Sequence, residues 1–311
     1  MESKTMFGTE ELGRLRKVLL HNPIESLSAI SEENYKYHLF NFVPKVDQYL
    51  KEHEQYVQML REHDVKVLFV RDFVRQTKDL LAKLPNLPYL HDTAVITSKG
   101  AILSEMCPGT RAGEEQVVKE ALTNIGIPIF HEFNTQEQFE GCLILSPTTL
   151  IIVNTERSNS NTIEGFFSKA LTIFAEVIYI EAPQARRYMH ADMIFNRISE
   201  DLALYFPPAF LHTYLINRQT RKEINFKNYL RGKSIELIPI SDEEQRNWGC
   251  SFVSLEPKKL IHYDLALTIK TKKLLKERGV QIHEFHPAAL LAGGGSLRCL
   301  TLRLWRTPCK Q

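Results

Sequence analysis

Short apolar runs recur along this chain in pairs, each pair joined by a tight turn and followed by a segment of helical spacing. TAVITSKGAILS (93–104) holds two β-rich runs around Lys99 and Gly100, the signal of a hairpin. The helical pattern RAGEEQVVKEALTNIG and the short strand IPIFHEF follow it. CLILSPTTLIIVN (142–154) turns at Ser146 and Pro147, with TIEGFFSKALTIFAE as its helix and VIYIEA as its strand. DMIFNRISEDLALYF (192–206) is a third hairpin, with PAFLHTYLINRQ read as helical and SIELIPI as the strand after a basic loop. CSFVSLEPKKLIHY (250–263), LALTIKTKKLLKERG and VQIHEF make the fourth copy of hairpin, helix and strand.

The two ends supply a fifth. LRCLTLRLWR near the C-terminus has no partner after it, and LRKVLLHNP near the N-terminus has none before it. Paired together, and completed by the helix VDQYLKEHEQYVQMLREHD and the strand VKVLFV, they close a ring of five ββαβ modules, a propeller with pseudo-fivefold symmetry that leaves few sheet edges exposed. An open α/β sheet accounts for the same number of strands and helices, but parallel sheets need crossovers and do not explain recurring hairpins. No linker or low-complexity stretch divides the chain, so residues 1–311 read as a single domain.

Composition narrows the partners. The 39 basic and 37 acidic residues nearly cancel, for a formal charge of +2, and no Lys/Arg block marks a nucleic-acid or membrane footprint. A small molecule is the expected partner. MESKTMFGTEELGRLRK lacks the apolar core of a signal peptide, and a cytoplasmic protein is expected. Five cysteines (107, 142, 250, 299 and 309) without a CxxC pair argue against both a disulfide framework and a structural zinc site.

The chemistry concentrates at hairpin mouths. In LAGGGSLRCL the glycine spacing puts Arg298 where a dinucleotide fingerprint needs its last glycine, and a strand follows instead of a helix. The glycines are then either a plain turn or a device for bringing a substrate close to Cys299. His190 and Asp192 lead into the third hairpin, and the i, i+2 spacing puts them on one face of a strand. His91 and Asp92 open the first, and Glu156 follows the second. A ring would deliver Asp92, Glu156, His190, Asp192 and Cys299 to one pocket. Three buried carboxylates need a cation, and paired carboxylates suit the planar donor fork of a guanidinium group. Cys299 would attack its central carbon and His190 would protonate the departing nitrogen.

The motifs GTEELGRLRKVLLHNP, PNLPYLHDTAVITSKGAIL, PGTRAGEE, FEGCLIL, NTERSN, MHADMIF, NWGCSFVSLEP and AGGGSLRCLTL resemble, in order, those of the guanidine-modifying enzymes of the pentein superfamily, arginine deiminases above all. The resemblance implies a five-module ring, Cys299 as the nucleophile of a thiouronium-type intermediate, and His190 as general acid and then general base. It further implies Glu156 as the acid that orients this histidine, Asp92 and Asp192 as the pair that binds the guanidinium nitrogens, and Arg111 as the holder of a substrate carboxylate. No cofactor and no metal are implied, and homo-oligomerisation is left open. The chain departs from the family where EGGD is replaced by Glu140-Gly141-Cys142-Leu143, where His91 replaces an arginine, and in lacking an extra helical insertion. The reading is a hydrolase that turns arginine or a derivative into a ureido compound and ammonia. An amidinotransferase shares the covalent step, and a non-catalytic ring-shaped binding protein would have lost the nucleophile.

Overall fold

The computed structural model describes residues 6–10, 12–107 and 109–308, so Cys309 lies outside the described residues. Strand β1 (Arg14–Leu20) pairs antiparallel with the last strand, β17 (Leu302–Thr307), and parallel with β2 (Lys66–Phe69), so the two ends of the chain share one sheet. Helix α1 (Val46–Glu62) connects β1 to β2.

Four further sheets repeat this plan of a hairpin whose second strand pairs parallel with a strand beyond the next helix. The first is β3 (Ala94–Thr97), β4 (Gly100–Leu103), α2 (Glu114–Ile125) and β5 (Ile129–Glu132). The next begins with β6 (Leu143–Ser146), β7 (Thr149–Asn154), α3 (Ser160–Ala170) and β8 (Glu176–Glu181). After it come β9 (Phe195–Ser199) and β10 (Leu202–Tyr205), whose hairpin is joined by a later strand. In β7 the residues Thr149 to Val153 are all buried, as expected where a strand is covered on both faces and apolar runs stop alternating.

One expected element is of the other kind. PAFLHTYLINRQ has the spacing of a helix, yet it holds β11 (His212–Ile216), which pairs antiparallel with β8, and β12 (Arg221–Glu223) extends the same sheet. The β-branched and aromatic residues of HTYLI satisfy the open edge of β8, and Pro207 and Pro208 start a short turn instead of a helix. The helix of this unit is α4 (Phe226–Gly232), within the basic segment expected to be a loop, and β13 (Glu236–Pro239) then pairs with β10. After α5 (Asp242–Arg246), the strands β14 (Val253–Glu256) and β15 (Lys259–Tyr263), helix α6 (Ile269–Glu277) and β16 (Gln281–Phe285) complete the fifth sheet.

Among the described residues, five sheets thus carry one module hairpin in each of four, the added β11–β12 hairpin at the edge of β8, and one hairpin-like pair made by the chain's ends. Helix α1 does more than bury Tyr49, Tyr56, Val57 and Leu60. Its buried Glu52 turns inward and accepts hydrogen bonds from the backbone N–H groups of Ala288, Ala289 and Leu290 at 3.0, 2.9 and 3.0 Å. This carboxylate fixes the start of the glycine loop, because the buried N–H groups of Ala289 and Leu290 would otherwise lack an acceptor. Glu52→Ala is expected to lower the unfolding free energy by about 3 kcal/mol in a denaturant titration, with Glu52→Gln recovering part of the loss.

Candidate active site

The five sheets contribute side chains from one place in each unit, two or three residues ahead of the first strand of the pair. Asp92 precedes β3, Glu140 precedes β6, Asp192 precedes β9, Ser251 precedes β14 and Cys299 precedes β17. His190 and Asp192 do not lie on a strand. His190 caps a 3-10 turn over Ala191–Met193, so their convergence comes from that turn and not from strand alternation.

His190 stands between two carboxylates. Its Nε2 is 2.8 Å from Glu140 Oε2, and its Nδ1 lies 3.3 Å from Asp92 Oδ1. Burial opposes a charge on the imidazole, but Asp92 and then Glu140 outweigh it and raise its pKa above the ordinary value. Burial likewise opposes the charge on Glu140. The hydrogen bond and charge of His190, with Arg111 and Arg157, override this and lower the Glu140 carboxyl to about 2. The Cys107 backbone N–H donates to the other Glu140 oxygen at 2.8 Å, and Arg157 Nη1 is 3.7 Å from it.

This corrects the expectation for Glu156. Its side chain is 33% exposed and lies 3.4 Å from Arg157 Nε, while the partner of His190 is Glu140. Glu156 follows the second strand of its hairpin, whereas Glu140 occupies the entry to the first, as Asp92, Asp192, Ser251 and Cys299 do in the other units.

Cys299 is 3% exposed, and its Sγ lies 3.4 Å from Ser296 Oγ and 4.0 Å from Ser251 Oγ. Burial, reinforced by the negative charges of Asp192 and Asp92, pushes the thiol up to about 12, against the hydrogen bonds of Ser296. Asp192 Oδ2 accepts from Ser251 Oγ and is 3.5 Å from Arg298 Nε and 4.0 Å from His91 Nε2. The other oxygen of each aspartate, Asp92 Oδ1 and Asp192 Oδ1, is buried without a hydrogen-bond partner. The His91 backbone N–H donates to the Cys299 carbonyl at 3.0 Å, which ties the Asp92 turn to the cysteine loop.

Arg111 is not a solvent residue. It is buried, and donates to Asp92 Oδ2 at 2.8 Å, to Glu114 Oε2 through Nε and Nη2, and to the Tyr89 carbonyl at 3.2 Å. It lines a recess together with Tyr89, Asp92, Arg157, Arg186 and Cys299. A second recess, lined by Glu140, Leu143, His190 and Asp192, shares Asp92 with the first. The roomiest surface cavity lies elsewhere, against Tyr205, Phe210 and Phe226, and carries none of these groups.

The glycine loop packs on an aromatic ring. A Cβ on Gly293 would fall 1.5 Å from Tyr89 Oη, and one on Gly295 would fall 2.5 Å from the same ring and 3.2 Å from Cys299 Cβ. The close approach that these glycines permit is therefore to Tyr89, and Gly294 adds a φ of +74° that favours glycine. Carbonyls of the loop accept from Trp248 Nε1 and Tyr263 Oη, each at 3.2 Å. Among the described residues no group of three or more His, Cys, Asp or Glu side chains is placed to hold a metal ion.

The sequence model of arginine deiminase matches residues 74–306. The chain belongs to the arginine deiminase family, enzymes that hydrolyse an amidine group. It is 25% identical to the arginine deiminase of Mycoplasma capricolum over 95% of this chain and 96% of that enzyme. That alignment runs over 388 positions against 311 residues here, in keeping with the missing insertion. The fold matches AgrE in its ternary complex with ornithine and NAD+, at a TM-score of 0.73 and 21% identity over 95% of this chain. The chain spans only 40% of the length of AgrE. It also matches the N-terminal domain of ArgZ, an arginine dihydrolase from the ornithine-ammonia cycle in Cyanobacteria, as a cysteine-to-serine variant bound to substrate. There the TM-score is 0.71 and the identity 19%, over 93% of this chain and 98% of that one. These likenesses establish a mixed α/β fold. No helix among the described residues is long and apolar enough to cross a membrane.

The exchange of Glu156 for Glu140 gives a direct test. Glu140→Gln should lower kcat by about 100-fold and move the His190 pKa downward, whereas Glu156→Gln should stay within about threefold of the unmodified protein. Steady-state kinetics and the pH titration of the histidine resonance check both.

Proposed function

We propose that this family member hydrolyses the guanidino group of arginine or a close derivative to a ureido group and ammonia, with Cys299 as nucleophile and His190 as proton carrier. The observation that carries this reading is that Asp92 Oδ1 and Asp192 Oδ1 are buried without a hydrogen bond, Asp92 Oδ1 facing the His190 imidazole at 3.3 Å, while Asp92 and Cys299 line one recess. Two buried carboxylates that lack hydrogen bonds at one oxygen each call for a cation, and a guanidinium offers N–H groups in the plane that two carboxylates can share. Residues 1–311 act in this proposal as one domain, with the five ββαβ units set as a pseudo-fivefold propeller whose hairpin entries surround the substrate. The N- and C-terminal strand pair closes the ring. Homo-oligomers and a cytoplasmic location are compatible with the reading, and no nucleic acid takes part in it.

The charges order the steps. With the site empty, the carboxylates and burial keep the Cys299 proton in place. A guanidinium between Asp92 and Asp192 cancels their negative field and brings its own positive charge, so the thiol ionises when substrate is bound. The thiolate attacks the central carbon. His190, held protonated by Asp92 and Glu140, gives its proton to the departing nitrogen, which leaves as ammonia. The thiouronium remains on Cys299. Neutral His190 then takes a proton from water as its oxygen adds to the carbon, and collapse expels the sulfur, which receives the remaining hydroxyl proton, so that the Cys299 thiol is restored and the neutral ureido product is left.

Arg111 acts in this scheme by fixing Asp92 and Glu114. Arg157 and Arg186, in the same recess, are the cations left to meet the carboxylate of the amino acid. Leu143 makes one wall of the inner recess apolar where the family has an acid, which alters the fit around the leaving nitrogen.

Incubation with arginine alone should yield citrulline and ammonia in equal amounts. Cys299→Ala should form no product while still binding arginine in a calorimeter. Ornithine without citrulline would overturn the reading in favour of a dihydrolase, and turnover that required an added amine would favour an amidinotransferase.

A further inference from the structure

Arg111 is shared between two buried carboxylates, and the mechanism uses only one of them. Its Nη1 donates to Asp92 Oδ2 at 2.8 Å, while its Nε and Nη2 both donate to Glu114 Oε2, at 3.0 and 2.8 Å. Glu114 is the first residue of α2, where the positive end of the helix favours a carboxylate. It is fully buried and lines neither recess, so it does not touch the substrate. Its second oxygen, Oε1, is buried without a hydrogen-bond partner. Among the described residues Arg111 is therefore the one donor to this carboxylate.

The charges form an alternating row. Glu114, Arg111, Asp92, His190 and Glu140 follow one another, each within 3.3 Å of the next. Burial opposes the charge on Arg111, but Glu114, then Asp92 and Glu140, outweigh it and hold its pKa above the ordinary value. Of these carboxylates Glu114 acts on it most strongly, so the cation is offset mainly from behind the site. Burial raises the Glu114 carboxyl to about 7, reinforced by Asp92 and Glu140 and opposed by the charge and hydrogen bonds of Arg111, and above that pH the row is complete. With Asp92 as its one carboxylate, Arg111 would cancel the field that a guanidinium and an imidazolium both need. A second carboxylate behind the arginine offsets its charge and still leaves Nη1 to hold Asp92 in place.

We propose, on the basis of the guanidino hydrolysis put forward above, that Glu114 is a positioning residue for that reaction, which offsets the charge of Arg111 and so keeps Asp92 negative towards the substrate guanidinium and towards His190. It sets substrate affinity and the hold of His190 on its proton, and leaves the covalent step to Cys299.

Glu114→Gln separates charge from shape, because the amide oxygen still accepts from Arg111. At pH 8 it should raise KM for arginine about tenfold with kcat changed by less than about threefold. In the free protein it should move the His190 titration, followed by the imidazole resonances, to lower pH by about 0.5 or more. Glu114→Asp, which keeps the charge, should recover at least half of both effects. An unchanged KM and an unchanged His190 titration in a folded Glu114→Gln variant would overturn the proposal, since a purely structural carboxylate leaves both in place. The His190 titration needs no turnover, so it decides alone if arginine is not hydrolysed, and the two failures are told apart. If Glu114→Gln does not fold, the Glu114 carboxyl carbon resonance of the unmodified protein decides. An ionised carboxylate at pH 8 supports the proposal, and a protonated one refutes it.

Discussion

The site is organised around a charge that the protein buries and does not fully neutralise. Asp92 and Asp192 enter the interior from different sheets, each with one oxygen hydrogen-bonded by the protein and a second without a hydrogen bond, that of Asp92 facing His190 Nδ1 at 3.3 Å. Removing a carboxylate from water is expensive, and the engaged oxygens are secured by Arg111 on one side and by Ser251 and Arg298 on the other. The bare oxygens define the substrate by what they lack. In the proposed mechanism they, with burial, hold the thiol proton in place until a cation arrives, which couples reactivity to occupancy.

The scaffold is consistent with that demand. Each hairpin entry is a short turn on which one or two side chains can be aimed, and strands behind it fix the turn in place. Glu140 holds His190, Arg111 holds Asp92, Ser296 holds Cys299, and Glu52 anchors the loop that carries the cysteine. A positioned catalytic group needs such support, because an imidazole or thiol displaced by an ångström loses its geometry. Tyr89 explains why the loop must be glycine: its ring fills the volume that Cβ atoms at 293 and 295 would need.

Much of this organisation is legible in the order of residues alone. Alternating runs with tight turns locate the hairpins, and the pairing of LRKVLLHNP with LRCLTLRLWR follows from the two ends lacking partners. The rest is hidden for physical reasons. HTYLI has too few residues to distinguish helix from strand by period, and its pairing with β8 is a tertiary choice that local pattern does not encode. Glu156 and Glu140 are both acids near one hairpin, and residue type alone does not separate them. Position does: Asp92, Asp192 and Cys299 all lie two or three residues ahead of a first strand, and so does Glu140. Ser251 obeys the same rule. Arg298 and the commitment of Arg111 to Asp92 and Glu114 depend on burial and distance, which spacing in the sequence does not report.

In the proposed mechanism the charge of the substrate, and not a standing base, ionises Cys299. Ultraviolet thiolate absorbance, followed against pH with and without an unreactive guanidino ligand, tests this most directly. The mechanism predicts no thiolate at neutral pH in the free protein and its appearance on binding, with the signal absent in Cys299→Ala. A thiolate already present at neutral pH without ligand, or no change on saturation, would contradict it.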